Sequence, residues 1–241
     1  MNYQVLETFA GIAGFSLGFE KVGMKTIAFC ENDEHAILLL KKNFPGIPIH
    51  KDIRSLDGRQ YRRAANVVCG GFPCQPHSFS GDRKASEDSR DLWPEQFRII
   101  SESEPDWFIG ENVLGILSSE DGRFFGRILR DLASIGYDAE WFNLPAGAVG
   151  APHIRPRVWL VAYPNKAQRE RGCISKRIQQ EYANACYTRW GKDKPGVVRT
   201  LDGVPQQMDR LARLGNAVCP VVTELIGRAI ISADNEEKIH D

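Results

Sequence analysis

Val5-Leu6-Glu7-Thr8-Phe9 reads as a short strand that passes directly into Ala10-Gly11-Ile12-Ala13-Gly14, and Phe15, Leu17, Gly18 and Phe19 then open a helix. A strand that turns on small residues into a helix constrains this chain more than any other feature. The turn lets backbone come close to a bound group, and the helix amino end faces that group with unpaired N–H donors. The unit then recurs. Residues 24–29 read as a second strand ending at Cys30-Glu31-Asn32-Asp33. Residues 35–44 show helical apolar spacing at Ile37, Leu38 and Leu40, stopped by Pro45-Gly46. Residues 47–50 read as a third strand ending at Asp52-Ile53, 67–71 as a fourth running into a glycine turn, and 107–110 as a fifth delivering Glu111. Helices are expected over 92–100 and 123–135, and residues 137–144 and 157–163 read as a hairpin-like pair of late strands. Short strands alternating with helices predict an α/β sheet with crossover connections.

A chain of 241 residues holds one large core, or a core and a small annex. With 42% hydrophobic and 26% charged residues it has the composition of a folded globular protein. It has no apolar run long enough to span a bilayer and no cationic apolar leader, which makes membrane proteins, secreted disulfide scaffolds and disordered tails poor readings. The 31 basic and 31 acidic side chains cancel, but not evenly along the chain. Residues 164–206 carry nine basic and four acidic groups, with Tyr182, Tyr187 and Trp190 between them, and break the strand–helix rhythm. Residues 204–212 restart structure, Gly215-Asn216 is a turn, 221–231 is a closing apolar helix, and the last ten residues read as a polar tail. Six scattered cysteines without a CxxC pair, and only His77 near Cys69 and Cys74, argue against zinc and for free thiols in a reducing cytosol.

The strand ends carry the chemistry. The first glycine turn, Glu31 placed to accept from ribose hydroxyls, and Asp52 on the same carboxyl edge together indicate a nucleotide-like ligand. They do not separate a dinucleotide from S-adenosylmethionine, although GxxG in place of GxGxxG leans away from NAD. Cys74 sits between a glycine turn and Pro76, ahead of a polar loop with Arg83, Lys84 and Arg90. A free cysteine is ordinarily a small buried hydrophobe, but that setting favours a presented thiolate. Glu111 is either an ordinary strand-end carboxylate or a general acid facing the same crevice. Arg155 and Arg157 flank Pro156, and an i,i+2 pair in an extended segment shares one face.

Taken in order, these residues resemble the DNA (cytosine-5) methyltransferases over nearly the whole chain. Residues 9–15 look like the family's first cofactor motif, with Glu31 and Asp52-Ile53 in its second and third positions. Gly71-Phe72-Pro73-Cys74-Gln75-Pro76 matches its proline–cysteine signature, and Glu111-Asn112-Val113 its acidic motif. His153-Ile154-Arg155-Pro156-Arg157 matches Gln-x-Arg-x-Arg with histidine for glutamine, and Leu214-Gly215-Asn216-Ala217-Val218 matches the last motif, which in the family packs beside the first. The resemblance implies a class I S-adenosylmethionine-dependent methyltransferase fold, Rossmann-like, mostly parallel, with one late antiparallel strand and a small inserted target-recognition segment. It implies residues 1–163 as the catalytic and cofactor-binding domain, 164–206 as that segment, and 207–241 as the motif and helix that pack back.

It also implies roles. Cys74, Glu111, Arg155 and Arg157 are the catalytic set: the thiolate adds to C6 of a flipped cytosine, the carboxyl serves N3, and the arginines act at the base and its O2. Phe9, Gly11, Ile12, Gly14, Glu31, Asn32, Asp52, Ile53, Pro73, Leu92, Asn216 and Val218 would bind S-adenosylmethionine, which leaves as S-adenosylhomocysteine. DNA contacts fall to Gln75, Ser78, Ser80, Arg83, Lys84, Arg169, Arg171, Lys176, Arg177, Arg189, Lys192 and Lys194. Residues 75–92 would be the loop that closes over the base. The expected partners are double-stranded DNA and a cognate restriction endonuclease, without metal or membrane. The expected setting is the cytoplasm of a bacterium or archaeon, or a phage-infected host, with the protein acting as a monomer. The recognition interval is unusually short for the family, which leaves a short target, relaxed specificity or a helper subunit. Two other readings compete. A tRNA cytosine-5 methyltransferase shares the scaffold, but its Cys-Phe-Thr hallmark is absent. A non-catalytic DNA-binding protein would not need Cys74 and Glu111 intact.

Overall fold

The computed structural model describes residues 2–73, 91–151, 153–165, 173–184 and 217–240. Seven strands form one sheet: β1 (Gln4–Thr8), β2 (Lys25–Cys30), β3 (Ile49–His50), β4 (Val67–Gly70), β5 (Trp107–Val113), β6 (Tyr137–Asn143) and β7 (Arg157–Pro164). Their order is β3-β2-β1-β4-β5-β7-β6. The first five run parallel, while β7 is antiparallel to both β5 and β6. The late pair is therefore a hairpin-like unit that reverses one strand, as the sequence suggests.

Alternation along the strands feeds two cores. Val5, Val67, Cys69, Trp107 and Ile109 face one side, Leu6, Val68 and Phe108 the other. On the first side lie α1 (Gly14–Glu20), α5 (Ile174–Asn184) and α6 (Pro220–His240), through Phe15, Phe19, Ile174, Ile178, Val222, Ile226 and Ile230. On the second lie α3 (Trp93–Ser103) and α4 (Arg123–Ser134), through Trp93, Ile99, Phe124, Ile128 and Leu132. The spacing of Phe124, Ile128 and Leu132 places them on one helical stripe. Helix α2 (Glu34–Asn43) covers the β2–β3 edge with Leu40, beside Phe29 and Phe44.

Two readings need correction. The last helix does not stop at residue 231 but runs to His240. Its extension is held by Asp234, whose Oδ2 accepts from the Tyr3 hydroxyl at 2.8 Å and the Trp107 indole N–H at 3.2 Å. A polar composition hid a helix whose polar residue has an interior job. Likewise, the charged interval 164–206 contains α5, which its composition concealed. Ile174 and Ile178, one helical turn apart, are buried against the body of the protein, and Glu140 on β6 accepts the N–H groups of Ile174 (2.8 Å) and Ser175 (3.1 Å) at the helix start.

Helices α1 and α6 meet at glycine. A Cβ on Gly18 would lie 1.9 Å from Thr223 Oγ1 and 2.3 Å from the Pro220 carbonyl, and one on Gly14 would lie 2.6 Å from the Val218 carbonyl. Only residues without side chains at 14 and 18 allow this approach, and it brings the end of the chain beside its first turn. No helix among the described residues is long and apolar enough to cross a membrane.

Candidate active site

Strand register places the site. Cys30, Thr8, Gly70 and Gly110 form one transverse row, paired through β2, β1, β4 and β5. The next residue of each strand is Glu31, Phe9, Gly71 and Glu111, so four sequence-selected positions line one carboxyl edge. The strand order reverses between β1 and β4, which opens a crevice at that edge.

On the β1–β2 side the turn is built from left-handed backbone, with φ of 51° at Phe9, 54° at Gly11 and 66° at Ala13. The Gly11 N–H donates to Glu31 Oε2 at 2.6 Å, and Glu31 Oε1 accepts the Asn32 and Asp33 N–H groups at 2.9 and 2.8 Å. Three backbone donors therefore fix this carboxylate. A carboxylate offers about four acceptor directions, so Glu31 keeps capacity for a ligand hydroxyl. A Cβ on Gly11 would meet no atom within 4 Å, which leaves open space over the turn. Asp52 lies half-exposed at the end of β3, its Oδ1 accepting the Arg54 N–H at 2.9 Å, and Ile53 is buried beneath it. These groups fit the adenosine part of S-adenosylmethionine: fixed acceptors for hydroxyls, an apolar floor and closely approachable backbone. Val218 packs on Gly14 from the far end of the chain, and Leu92 packs at the start of α3. Ile12 lies in the first turn, and Asn32 contributes its N–H to Glu31.

On the β4–β5 side Glu111 is 8% exposed. Its Oε1 lies 2.9 Å from Arg157 Nε and 3.9 Å from Arg155 Nη2. Both arginines thus converge on one carboxyl. Burial pushes the Glu111 proton affinity up, and the guanidiniums of Arg157 and then Arg155 only partly oppose it. Arg155 is itself lowered by burial and by the like charge of Arg157. Its backbone is left-handed, φ 39°, and is pinned from below: the Ala146 N–H donates to the Arg155 carbonyl at 3.1 Å and the Gly147 N–H to the Ile154 carbonyl at 3.0 Å. His153 and Ile154 are exposed.

Asn112 enters the sequence reading only as part of the acidic motif, and the structure gives it a contact of its own. Its Nδ2 donates to the Phe72 carbonyl at 3.2 Å, which ties the turn leading through Pro73 toward residue 74 to the strand carrying Glu111. The signal was available: an amide inside a buried strand needs a partner. Glu7 was also missed. It is buried on β1 and accepts from the Ser16 hydroxyl and N–H and from the Phe15 N–H, at the amino end of α1.

Cys74, Gln75, Ser78, Ser80, Arg83, Lys84, Arg169, Arg171, Arg189, Lys192, Lys194 and Asn216 lie outside the described residues. Of the basic positions assigned to DNA, Lys176 is exposed and Arg177 half-buried on α5. Among the described residues, no group of three or more His, Cys, Asp or Glu side chains is placed to hold a metal ion.

A seven-stranded sheet with one reversed strand, and a crevice where its order changes, define a protein of the class I S-adenosylmethionine-dependent methyltransferase fold. The chain belongs to the C-5 cytosine-specific DNA methylase family, whose profile matches residues 3–202. It is 34% identical over 167 residues to the Type II methyltransferase M.NgoMIV of Neisseria gonorrhoeae, covering 69% of this chain and 53% of that one. To M.Eco47II of Escherichia coli it is 37% identical over 166 residues, covering 68% and 40%. The chain thus spans about half, or less, of the length of these curated relatives. Among solved structures, a prophage-encoded Escherichia coli protein assigned as a DNA modification methyltransferase aligns with a TM-score of 0.68 at 17% identity, over 97% of this chain and 100% of that one. Spodoptera frugiperda DNMT2 aligns at 0.58 and 22% identity, over 69% and 51%. At such identities the structural likeness speaks for the fold.

Proposed function

We propose that the protein transfers a methyl group from S-adenosylmethionine to C5 of a cytosine flipped out of double-stranded DNA, through a covalent cysteine–C6 adduct. The observation that carries this reading is the buried Glu111–Arg155–Arg157 group, set beside the glycine turn that leads into the Pro73-Cys74 signature.

The Cys74 thiolate adds to C6 of the base. Glu111, whose proton affinity burial raises, donates toward N3 and lets the ring accept the electron pair. Arg157 and Arg155 hold that carboxyl in place and reach the base beside it. S-adenosylmethionine, when bound, supplies the methyl group and leaves as S-adenosylhomocysteine. Loss of the C5 proton and expulsion of the Cys74 thiolate then give 5-methylcytosine. Asn112 holds the Phe72 carbonyl, two residues before Cys74, to the strand that carries Glu111. Glu31, Asp52 and the turn at residues 9–14 orient the donor, with Pro73, Leu92, Asn216 and Val218 completing its pocket. Residues 75–92 close over the base, and basic side chains of 164–206 contact the duplex. The protein acts as a monomer in the cytoplasm, alongside a cognate endonuclease.

The test is methylation of a mixed-sequence duplex with S-adenosylmethionine, read by base-resolved 5-methylcytosine sequencing, with C74A in parallel. Marks confined to one short motif and lost in C74A support the reading and name the target. Marks on a tRNA pool with none on DNA would move the substrate to RNA, and transfer to neither would refute the reading.

A further inference from the structure

The loop after β3 carries Asp52 and Ile53, and one side chain from α3 sets its shape. Ile53 and Leu56 are buried. Their carbonyls both accept from the Arg98 guanidinium: Nη2 reaches the Ile53 oxygen at 2.6 Å and Nη1 the Leu56 oxygen at 2.8 Å. Arg98 is braced on its own helix by Glu95, 2.9 Å from Nε, and by Glu102, 3.0 Å from Nη1. Glu102 Oε2 also accepts the Gly58 N–H at 2.8 Å, so the far end of the same loop is tied to the same helix. The loop's own bonds are local. Asp52 Oδ1 accepts the Arg54 N–H, and the Ser55 N–H donates to the Asp52 carbonyl at 3.2 Å. Those bonds fold the turn on itself without orienting it against the sheet.

We propose that Arg98 is a positioning residue for the cofactor. It does not touch the ligand. It holds the Asp52–Ile53 turn level with Glu31, so that the adenosine part of S-adenosylmethionine meets a preformed edge; this rests on the reading of the site given above. Charge-assisted bonds to two carbonyls at once need a planar fork, and a lysine offers only a single compact head. A preformed loop contributes to affinity by removing an ordering cost that the ligand would otherwise carry.

The test measures the Kd of S-adenosylhomocysteine by calorimetry on the full chain, for the parent protein, R98M, R98K and E102Q. R98M weakens binding roughly 10- to 100-fold, the scale of lost hydrogen bonds to a charged group. R98K falls between R98M and the parent, and E102Q loses less than R98M. Amide exchange at Ser55, Leu56 and Gly58 accelerates in R98M. The KM for S-adenosylmethionine rises in step with Kd, so the loss falls on KM rather than on kcat, while duplex affinity does not move. Parent-like Kd in every variant, with only the thermal midpoint lowered, overturns the proposal and leaves Arg98 a stability residue. If R98M does not fold, R98K and E102Q decide by the same ratio. A parent protein that binds no S-adenosylhomocysteine overturns both this proposal and the methyltransferase reading, whereas equal binding by all four overturns this one alone.

Discussion

Burial pushes the Glu7 carboxyl up from 4.5 to about 7, against the opposing hydrogen bonds from Ser16 and Phe15, and the charge of Glu31 adds to the rise. The folded protein thus holds a proton that the unfolded chain gives up near 4.5. The associated stability is fully present below the unfolded value and is lost as pH rises through about 7. The whole shift corresponds to about 3 kcal/mol, of which about 2 kcal/mol falls between roughly pH 5.5 and pH 8.5. Glu7→Gln removes the ionisation and keeps a carbonyl oxygen to accept from the first turn of α1. The assay is chemical denaturation of both proteins across that range, reading the difference between them so that all other titrating groups cancel. The Glu7→Gln variant is expected to gain on its parent as pH rises, by about 2 kcal/mol, or roughly 4–8 °C in Tm for a chain of this size. Parallel pH curves for the two proteins would refute the argument, because Glu7 would then keep one charge state throughout.

Other substitutions test the site and its frame. Glu111→Gln lowers single-turnover methylation by about 10²–10⁴-fold, the usual range for a lost general acid, while duplex binding measured by anisotropy is retained. Asn112→Ala frees the Phe72 carbonyl and slows methyl transfer with little change in S-adenosylhomocysteine affinity, which separates the cysteine turn from the cofactor side. Gly18→Ala forces a methyl group against Thr223 and Pro220 and costs about 1–3 kcal/mol in urea denaturation, since the obstructing atoms include backbone. Treatment with a chelator leaves methylation unchanged, a result read directly from the rate with and without it.

The sheet was legible because its strands are short segments that end in recognisable turns, and period-two alternation survives in β1, β4 and β5. What composition concealed were helices whose apolar contacts are few and whose polar groups work inward. Ile174 and Ile178 are only two residues in a charged stretch, yet they are buried against the sheet's helical layer, with Glu140 at the helix start and the Tyr182 hydroxyl donating to the Ala148 carbonyl. Asp234 reads as part of a polar tail until Tyr3 and Trp107, more than a hundred residues away, are seen to donate to it. Contacts at that sequence separation leave no local trace. The position of Arg155 was legible, but its left-handed backbone was not, because that strain is set by N–H groups of the turn at residues 146–147.

Three glutamates show where sequence reading stops. Glu7, Glu31 and Glu111 all sit within or just beyond parallel strands of one mixed sheet, and as letters they are interchangeable. Their surroundings divide the work. Glu7 is closed inside the protein against the first turn of α1, where burial raises it to about 7 and its role is to anchor that turn. Glu31 is fixed by three backbone N–H groups at the crevice rim, which makes it a rigid acceptor suited to hydroxyl groups. Glu111 is buried between two guanidiniums, where the cost of removing its charge from water outweighs their attraction and raises its proton affinity. A carboxylate's task is thus set by whether N–H donors, arginines or apolar side chains surround it, and the turns and helices that meet each strand decide which of these it finds. Exchanging the environments of Glu31 and Glu111 would leave the composition unchanged and abolish the proposed methyl transfer.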